Sequence, residues 1–297
     1  MYLDDFLQER APEDVGNATR SIASACLDVW EKIPFNSGLL PAINPSGEKQ
    51  TAIDVYSNDA FVKALLASGS VGEVASEEME KKATGRGALS VAMDPLDGSS
   101  NVDTNNPVGS IFGFYSNALP CSGRNLIGAA FVTYGTMVTL TASFGKGVAR
   151  FVAVREKSDY AFELMDENVM IPDRAEVYGF GGLRKEWTVG VREFVESLEE
   201  RGMKLRYCGT FVGDYNQVMK KGGIFAYPSL EKRPEGKLRI LYETAPVAYI
   251  TEQAGGYSSD GKGNLLDLAP KSLAETSPAY LGSPSVVKEL ESALSRS

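Results

Sequence analysis

Asp94-Pro95-Leu96-Asp97-Gly98-Ser99-Ser100-Asn101 follows directly on an apolar run, Leu89 to Met93. The run is short enough to form one buried strand, so Asp94 and Asp97 fall at a strand's carboxyl end. Pro95 fixes the bend between them. Gly98, Ser99 and Ser100 are small enough to let backbone N–H groups approach an anion closely. Carboxylates for hard cations beside amides for a phosphate describe metal-assisted phosphate chemistry. A bare D-x-x-D-G reads more naturally as a surface turn, and it is the whole octet that favours a site.

Composition narrows the alternatives. The chain has 297 residues, 43% hydrophobic and 23% charged, enough for one large or two modest α/β domains. It holds no apolar run long enough for a transmembrane helix. The N-terminus, with Asp4, Asp5 and Glu9 against Arg10, is unlike a targeting peptide. A cytoplasmic protein is therefore expected, or a plastid-stromal one if a transit segment has been removed. The net charge of −9 comes without a basic stripe, which argues against a nucleic-acid partner. Cys26, Cys121 and Cys208 are too scattered for a zinc site or a disulfide framework and read as reduced structural thiols.

There is no histidine. That removes Ser-His-Asp and Cys-His catalysis and H-E-x-x-H zinc sites. Lys32, Ile127 and Asp214, six residues after each cysteine, exclude the Cys-x5-Arg phosphatases, and no Walker-type P-loop is present. Acid–base work falls to Asp, Glu, Lys, Tyr or a metal-activated water.

Pro12 opens a predicted helix over 12–32, and Ser57-Asn58-Asp59 caps another over 57–67. Between them Asn44 to Gln50 reads as a polar loop. Segments 108–115, 127–143 and 147–154 are rich in Val, Ile, Phe and Thr and read as strands. Helices are expected over 187–201, 213–220, about 245–254 and from Pro284 onward, with strands at Lys204–Tyr207 and Ile224–Tyr227. Strand-rich character fades near 168–178. This suggests an N-terminal half, 1–172, carrying the metal site and a C-terminal half, 173–297, binding the substrate. The alternation predicts an α/β (α+β) fold of layered sheets and helices.

A magnesium-type site needs more oxygen ligands than one loop supplies. Ser76-Glu77-Glu78 follows the apolar and small stretch Val71–Ala75, and a strand there would point both glutamates at the same cleft. Asp54 follows Ile53 in a short apolar patch. Lys237, Arg239, Leu241 and Glu243 alternate in strand period, which would put two cations and a carboxylate on one face.

Taken in order, these segments resemble the fructose-1,6-bisphosphatase and sedoheptulose-1,7-bisphosphatase family. The octet, Ser76-Glu77-Glu78, Ile53-Asp54-Val55-Tyr56-Ser57-Asn58-Asp59, Gly222–Pro228, Lys237–Glu243, Gly255-Gly256 and Leu281–Pro284 carry the likeness. It implies a layered αβαβα sandwich of the sugar-phosphatase type. It makes Glu77, Asp94, Asp97, Glu243 and the Leu96 carbonyl ligands of Mg2+, with Mn2+ as a substitute, two or three ions per subunit. Asp54 and Glu78 would position and deprotonate the attacking water. Gly98, Ser99 and Ser100 would hold the 1-phosphate with Arg239 nearby. Lys237, Tyr207 and Tyr227 would grip the sugar and its distal phosphate, joined by Arg206 across the interface of a homodimer or homotetramer.

Departures from the family pattern bear on the substrate. Gly181-Gly182-Leu183-Arg184 stands where fructose-type members carry Asn-Glu-Gly-Tyr, and Arg184 is the expected replacement for the missing phosphate ligands. Glu48 stands where the family often has an aspartate, so a third metal depends on it. Ala88-Leu89 replaces a Lys-Tyr pair tied to AMP inhibition, which is therefore not expected. The expectation is a Mg2+-dependent phosphoric monoester hydrolase acting on sedoheptulose-1,7-bisphosphate. Fructose-1,6-bisphosphate is the alternative substrate, and a non-catalytic phosphometabolite sensor the remote alternative. Neither a nucleic-acid partner nor a membrane is expected.

Overall fold

The structure is a computed structural model, which describes residues 1–35, 38–45 and 49–296. Glu48, on which the expected third metal depends, lies outside them. Helices α1 (Leu3–Arg10) and α2 (Glu13–Lys32) lead to an antiparallel pair, β1 (Leu39–Ile43) and β2 (Lys49–Thr51), and then to α3 (Ala52–Ala67). The next eight strands are β3 (Val71–Ser76), β4 (Ala83–Thr84), β5 (Leu89–Asp97), β6 (Val108–Tyr115), β7 (Leu126–Tyr134), β8 (Val138–Ser143), β9 (Ala149–Glu156) and β10 (Asp159–Asp166). They form one sheet in the order β10-β9-β8-β7-β6-β5-β3-β4, antiparallel except where β3 runs parallel to β5.

The remainder contains β11 (Val177–Phe180), α4 (Val189–Glu200), β12 (Lys204–Leu205), α5 (Phe211–Lys221), β13 (Gly223–Tyr227), β14 (Leu238–Arg239) and α6 (Ala245–Gln253). It ends with β15 (Tyr257–Ser259), β16 (Thr276–Ser277), β17 (Ala279–Gly282) and α7 (Pro284–Leu294). A five-stranded sheet runs β12-β11-β13-β17-β15, while β14 and β16 pair separately.

Burial sorts these elements into five layers. Helices α1 to α3 cover one face of the larger sheet, where Phe6, Ile22 and Phe61 meet Phe112 and Phe151. Helices α5 and α6 fill the space between the sheets, where Phe211, Tyr215 and Ile250 bury Ile111 and Phe131 on one side and Phe225 and Leu281 on the other. Helices α4 and α7 close the outer face of the smaller sheet through Phe194, Leu198, Val287 and Leu290. This is the expected αβαβα sandwich. The apolar central strands explain the arrangement, since β5 and β6 are buried along their whole length and need a cover on both faces.

Several local expectations are corrected. Helix α3 starts at Ala52, not Ser57, because Thr51 and Asp54 cap each other reciprocally. Ser57 and Asn58 therefore lie inside the helix. Segment 127–143 is two strands, broken at 135–137. Among the elements the patterning did not reveal are α1 and β10, which pack on each other at the sheet's edge. Segment 237–242, open between a strand and the approach to the next helix, is both: the strand stops at Arg239, and Ile240–Thr244 forms a single π-helical turn leading into α6.

Candidate active site

The octet extends strand β5 through Asp97, with a register irregularity against β6 between Asp94 and Asp97. Ser110 Oγ donates to the Pro95 carbonyl at 2.8 Å and holds the irregularity in place. The Leu96 N–H donates to Asp94 Oδ1 at 3.0 Å, which fixes that carboxylate's orientation. Gly98 then turns with φ of +75°, and a Cβ there would lie 2.6 Å from Thr210 Oγ1. Only glycine meets both conditions. Ser99–Thr104 follows as a 3-10 turn.

Parallel pairing of β3 with β5 places Ser76 opposite Met93, so the next residues on the two strands, Glu77 and Asp94, are neighbours. The Glu77 N–H donates to the Met93 carbonyl at 3.1 Å. The third carboxylate comes from the π-helical turn. That turn folds Glu243 back so that its Oε2 accepts from the Arg239 N–H at 2.6 Å. Arg239 and Glu243 thus meet through a turn and not through strand alternation.

Glu77, Asp94 and Glu243, all buried, each present an oxygen within 4.8 Å of the other two. Arg239 Nη1 sits among them, 2.8 Å from Glu77 Oε1 and 3.4 Å from Glu243 Oε2. Burial, and then the charges of Glu77, Asp97 and Glu243, raise the Asp94 carboxyl well above the usual carboxylate range. Such a cluster of hard oxygens, still short of positive charge, fits a divalent cation.

Asp97 stands slightly apart. Its two oxygens accept the Phe211 and Val212 N–H groups at 3.1 and 2.8 Å, the start of helix α5. Burial pushes its carboxyl up to about 7, while those two N–H groups hold it down. Next to it, Asn101 Nδ2 donates to Thr210 Oγ1 at 2.6 Å and to the Cys208 carbonyl at 3.0 Å. Asp214 in turn accepts from the Cys208 and Gly209 N–H groups. The octet is thereby tied to segment 208–212 of the second half.

On the opposite wall, Asp54 Oδ2 accepts from the Thr51 N–H at 2.7 Å and the Thr51 hydroxyl at 2.8 Å. Glu78 accepts from Asn44 Nδ2 at 3.0 Å and Gln50 Nε2 at 2.6 Å. Burial raises the Glu78 carboxyl, and the nearby Asp54 charge adds to the effect.

One cavity of about 200 Å³ collects these groups. Asp54, Glu77, Glu78, Asp94, Leu96, Asp97, Gly98, Ser99, Ser100, Tyr227, Lys237, Arg239 and Glu243 all line it. Tyr207 joins through its hydroxyl, 3.0 Å from that of Tyr227, and Lys237 Nζ lies 5.9 Å from the Tyr227 ring centre. Tyr207 is not itself part of the lining, and two further expected residues, Arg184 and Arg206, lie away from it. Arg184 reaches the carboxylates of Glu196 at 2.8 Å and Glu199 at 3.7 Å and lies against Trp187, because α4 offers those acids close by. Arg206 donates to the neighbouring Leu205 carbonyl on the exposed edge strand β12. Asn44, Gln50 and Asn101 carry site contacts that motif reading did not single out, since amides in polar stretches look alike until the fold pairs them. A larger cleft of about 480 Å³ between α1, α2 and β10 sets four acids against Arg20 alone and gathers none of the residues of the 94–101 octet.

Residues 31–164 match the family model for the fructose-1,6-bisphosphatase N-terminal domain, and 171–295 match the C-terminal domain. The chain is 40% identical over 289 residues to a class 1 fructose-1,6-bisphosphatase of Haloarcula marismortui, covering 97% of each. It is 45% identical over 251 residues to the class 1 fructose-1,6-bisphosphatase of Geobacter sulfurreducens, covering 82% of this chain and 79% of the relative. The holo crystal structure of Leishmania major fructose-1,6-bisphosphatase superposes with a TM-score of 0.93 at 30% identity, over 100% of this chain and 99% of the other. The chain belongs to the fructose-1,6-bisphosphatase family, whose members are phosphoric monoester hydrolases.

Proposed function

We propose that this member of the family hydrolyses the 1-phosphate of fructose-1,6-bisphosphate, releasing phosphate and the 6-phosphate sugar. The supporting observation is the single cavity in which carboxylates from separated segments face the Gly98–Ser100 loop, with Lys237 and Tyr227 in the same lining. The seven-carbon reading rested on Arg184, which is engaged with Glu196, and the relatives reported above carry the fructose-1,6-bisphosphatase name. We therefore adopt the six-carbon alternative. The plastid alternative gains no support from the archaeal and bacterial relatives, and no helix among the described residues is long and apolar enough to cross a membrane.

In this reading Glu77, Asp94 and Glu243 would hold Mg2+, with Asp97 and the Leu96 carbonyl as further donors, and the ion when bound would supply charge neutralisation at the phosphate and a lowered pKa for water. Asp54 and Glu78 take the proton from the attacking water. Glu78 suits that role because burial keeps its carboxyl basic, while Asn44 and Gln50 hold its orientation. Gly98, Ser99 and Ser100 offer backbone N–H groups to the phosphate, and Arg239 adds positive charge as the bond from phosphorus to the sugar oxygen breaks. Tyr207, Tyr227 and Lys237 grip the distal phosphate. A homodimer or homotetramer, in which Arg206 reaches a neighbouring copy, completes the reading.

The test is phosphate release from fructose-1,6-bisphosphate, sedoheptulose-1,7-bisphosphate and inositol monophosphate, with and without Mg2+. Metal-dependent turnover of the six-carbon substrate is expected. Turnover of the seven-carbon sugar alone would favour a sedoheptulose-1,7-bisphosphatase. Stabilisation by either bisphosphate without phosphate release would favour a sensor.

A further inference from the structure

Gly181 directly follows strand β11 and lies beneath the Tyr227 ring. A Cβ built on it would lie 2.7 Å from Tyr227 Cε1, 2.7 Å from Cζ and 2.9 Å from Cδ1. Real Cβ atoms essentially never approach so closely, so one side of the contact would have to move. Gly181 is not among the residues with positive φ, so its backbone would accept any side chain. What requires glycine here is the aromatic ring and not the chain conformation.

Which side would yield follows from the hydrogen bonds. The Gly181 N–H donates to the Ala226 carbonyl at 2.8 Å, continuing the parallel pairing of β11 with β13. The Gly181 carbonyl accepts from the indole Nε1 of Trp187 at 2.9 Å. Trp187 is buried with Phe180 and Val191 in the outer core. The peptide is thus pinned on both sides, whereas the Tyr227 ring borders the cavity and has open space to move into. A methyl group at position 181 would tilt the ring, pulling its hydroxyl from Tyr207 and its face from Lys237.

We infer that Gly181 is a positioning residue for the distal-phosphate arm: by lacking a side chain it lets Tyr227 lie flat and aligns Tyr207 and Lys237 with the substrate. The inference rests on the proposed role of Tyr227, Tyr207 and Lys237.

Gly181→Ala tests it, with fructose-1,6-bisphosphate and with para-nitrophenyl phosphate, a phosphomonoester that has no distal phosphate. The KM for the bisphosphate should rise roughly tenfold with kcat unchanged, the loss expected when one contact to a charged group is misplaced. Kinetics on para-nitrophenyl phosphate should not change. Because removing the ring removes the clash, Gly181→Ala should add nothing to the KM of Tyr227→Leu. If Gly181→Ala alone does not fold, the double variant should fold, and its failure to do so would overturn the inference. An unaltered KM in Gly181→Ala beside a raised KM in Tyr227→Leu would also overturn it, while leaving the arm's role intact. An unaltered KM in Tyr227→Leu would instead reject the arm on which the inference is built.

Discussion

Arg239→Met removes the guanidinium that sits 2.8 Å from Glu77 and 3.4 Å from Glu243, with all three side chains less than a tenth exposed. At an effective dielectric constant of about 20, these contacts amount to gross attractions of roughly 6 and 5 kcal/mol. Desolvation offsets much of that, and deleting one partner of a buried ion pair costs about 3–5 kcal/mol in practice. The variant leaves Glu77, Asp94 and Glu243 facing one another, so the metal-free protein should lose stability of that order at pH 8. The sign with pH follows from Asp94, whose carboxyl is already raised by burial and by its neighbours. A carboxyl raised in the folded state contributes stability that is present below its unfolded pKa and lost as pH rises through its folded pKa. The cost of the substitution should therefore be smaller at pH 5 than at pH 8. Urea unfolding after EDTA treatment measures both values. Added Mg2+ should recover most of the loss at pH 8, because a cation that binds only the folded state supplies the missing charge. An unshifted metal-free midpoint, or a shift that Mg2+ leaves untouched, would refute the reasoning.

Glu77→Gln keeps the shape of a proposed ligand but removes its charge. It should raise the Mg2+ concentration for half-maximal phosphate release by more than about 100-fold without altering circular dichroism, and wild-type metal dependence would remove Glu77 from the ligand set. Asn101→Ala strips donors from the Cys208 carbonyl and Thr210 and should lower stability by about 2–3 kcal/mol in urea titrations, whereas an unchanged midpoint would mean that water replaces the amide. Burial pushes the Cys121 and Cys208 thiols up to about 11. Their alkylation at pH 8 should be on the order of 100-fold slower than that of a free thiol and should accelerate with rising pH, read by mass spectrometry; rapid labelling at pH 8 would contradict this.

Legibility followed the range of the forces involved. Glu13–Lys32, Val189–Glu200 and Pro284–Leu294 were readable because their apolar spacing and caps lie within a few residues. Helix α3 starts five residues before the expected Ser57, because Thr51 and Asp54 cap each other, a pairing that apolar spacing does not signal. The cavity-lining residues of the octet, of Glu77-Glu78 and of 237–243 were readable as residue types. Strand alternation was expected to put Arg239 and Glu243 on one face, but a π-helical turn brings them together, which simple periodicity does not signal. Arg184 illustrates the opposite case: a cation in a motif position whose surroundings, Glu196 and Glu199 on α4, are supplied by a different element.

By itself the sequence determined the local chemistry: a proline-bent pair of aspartates after an apolar run, a glycine small enough for close approach to an anion, no histidine, and hence acid–base work left to carboxylates, Lys, Tyr or a metal-activated water. The tertiary structure alone decided which of those groups meet. Glu77 reaches Asp94 because β3 pairs in parallel with β5, and Asp97 is drawn to the first N–H groups of α5, more than a hundred residues away in sequence. Such meetings depend on long-range strand pairing and on burying apolar faces between two sheets, and residue spacing along a chain carries little record of either.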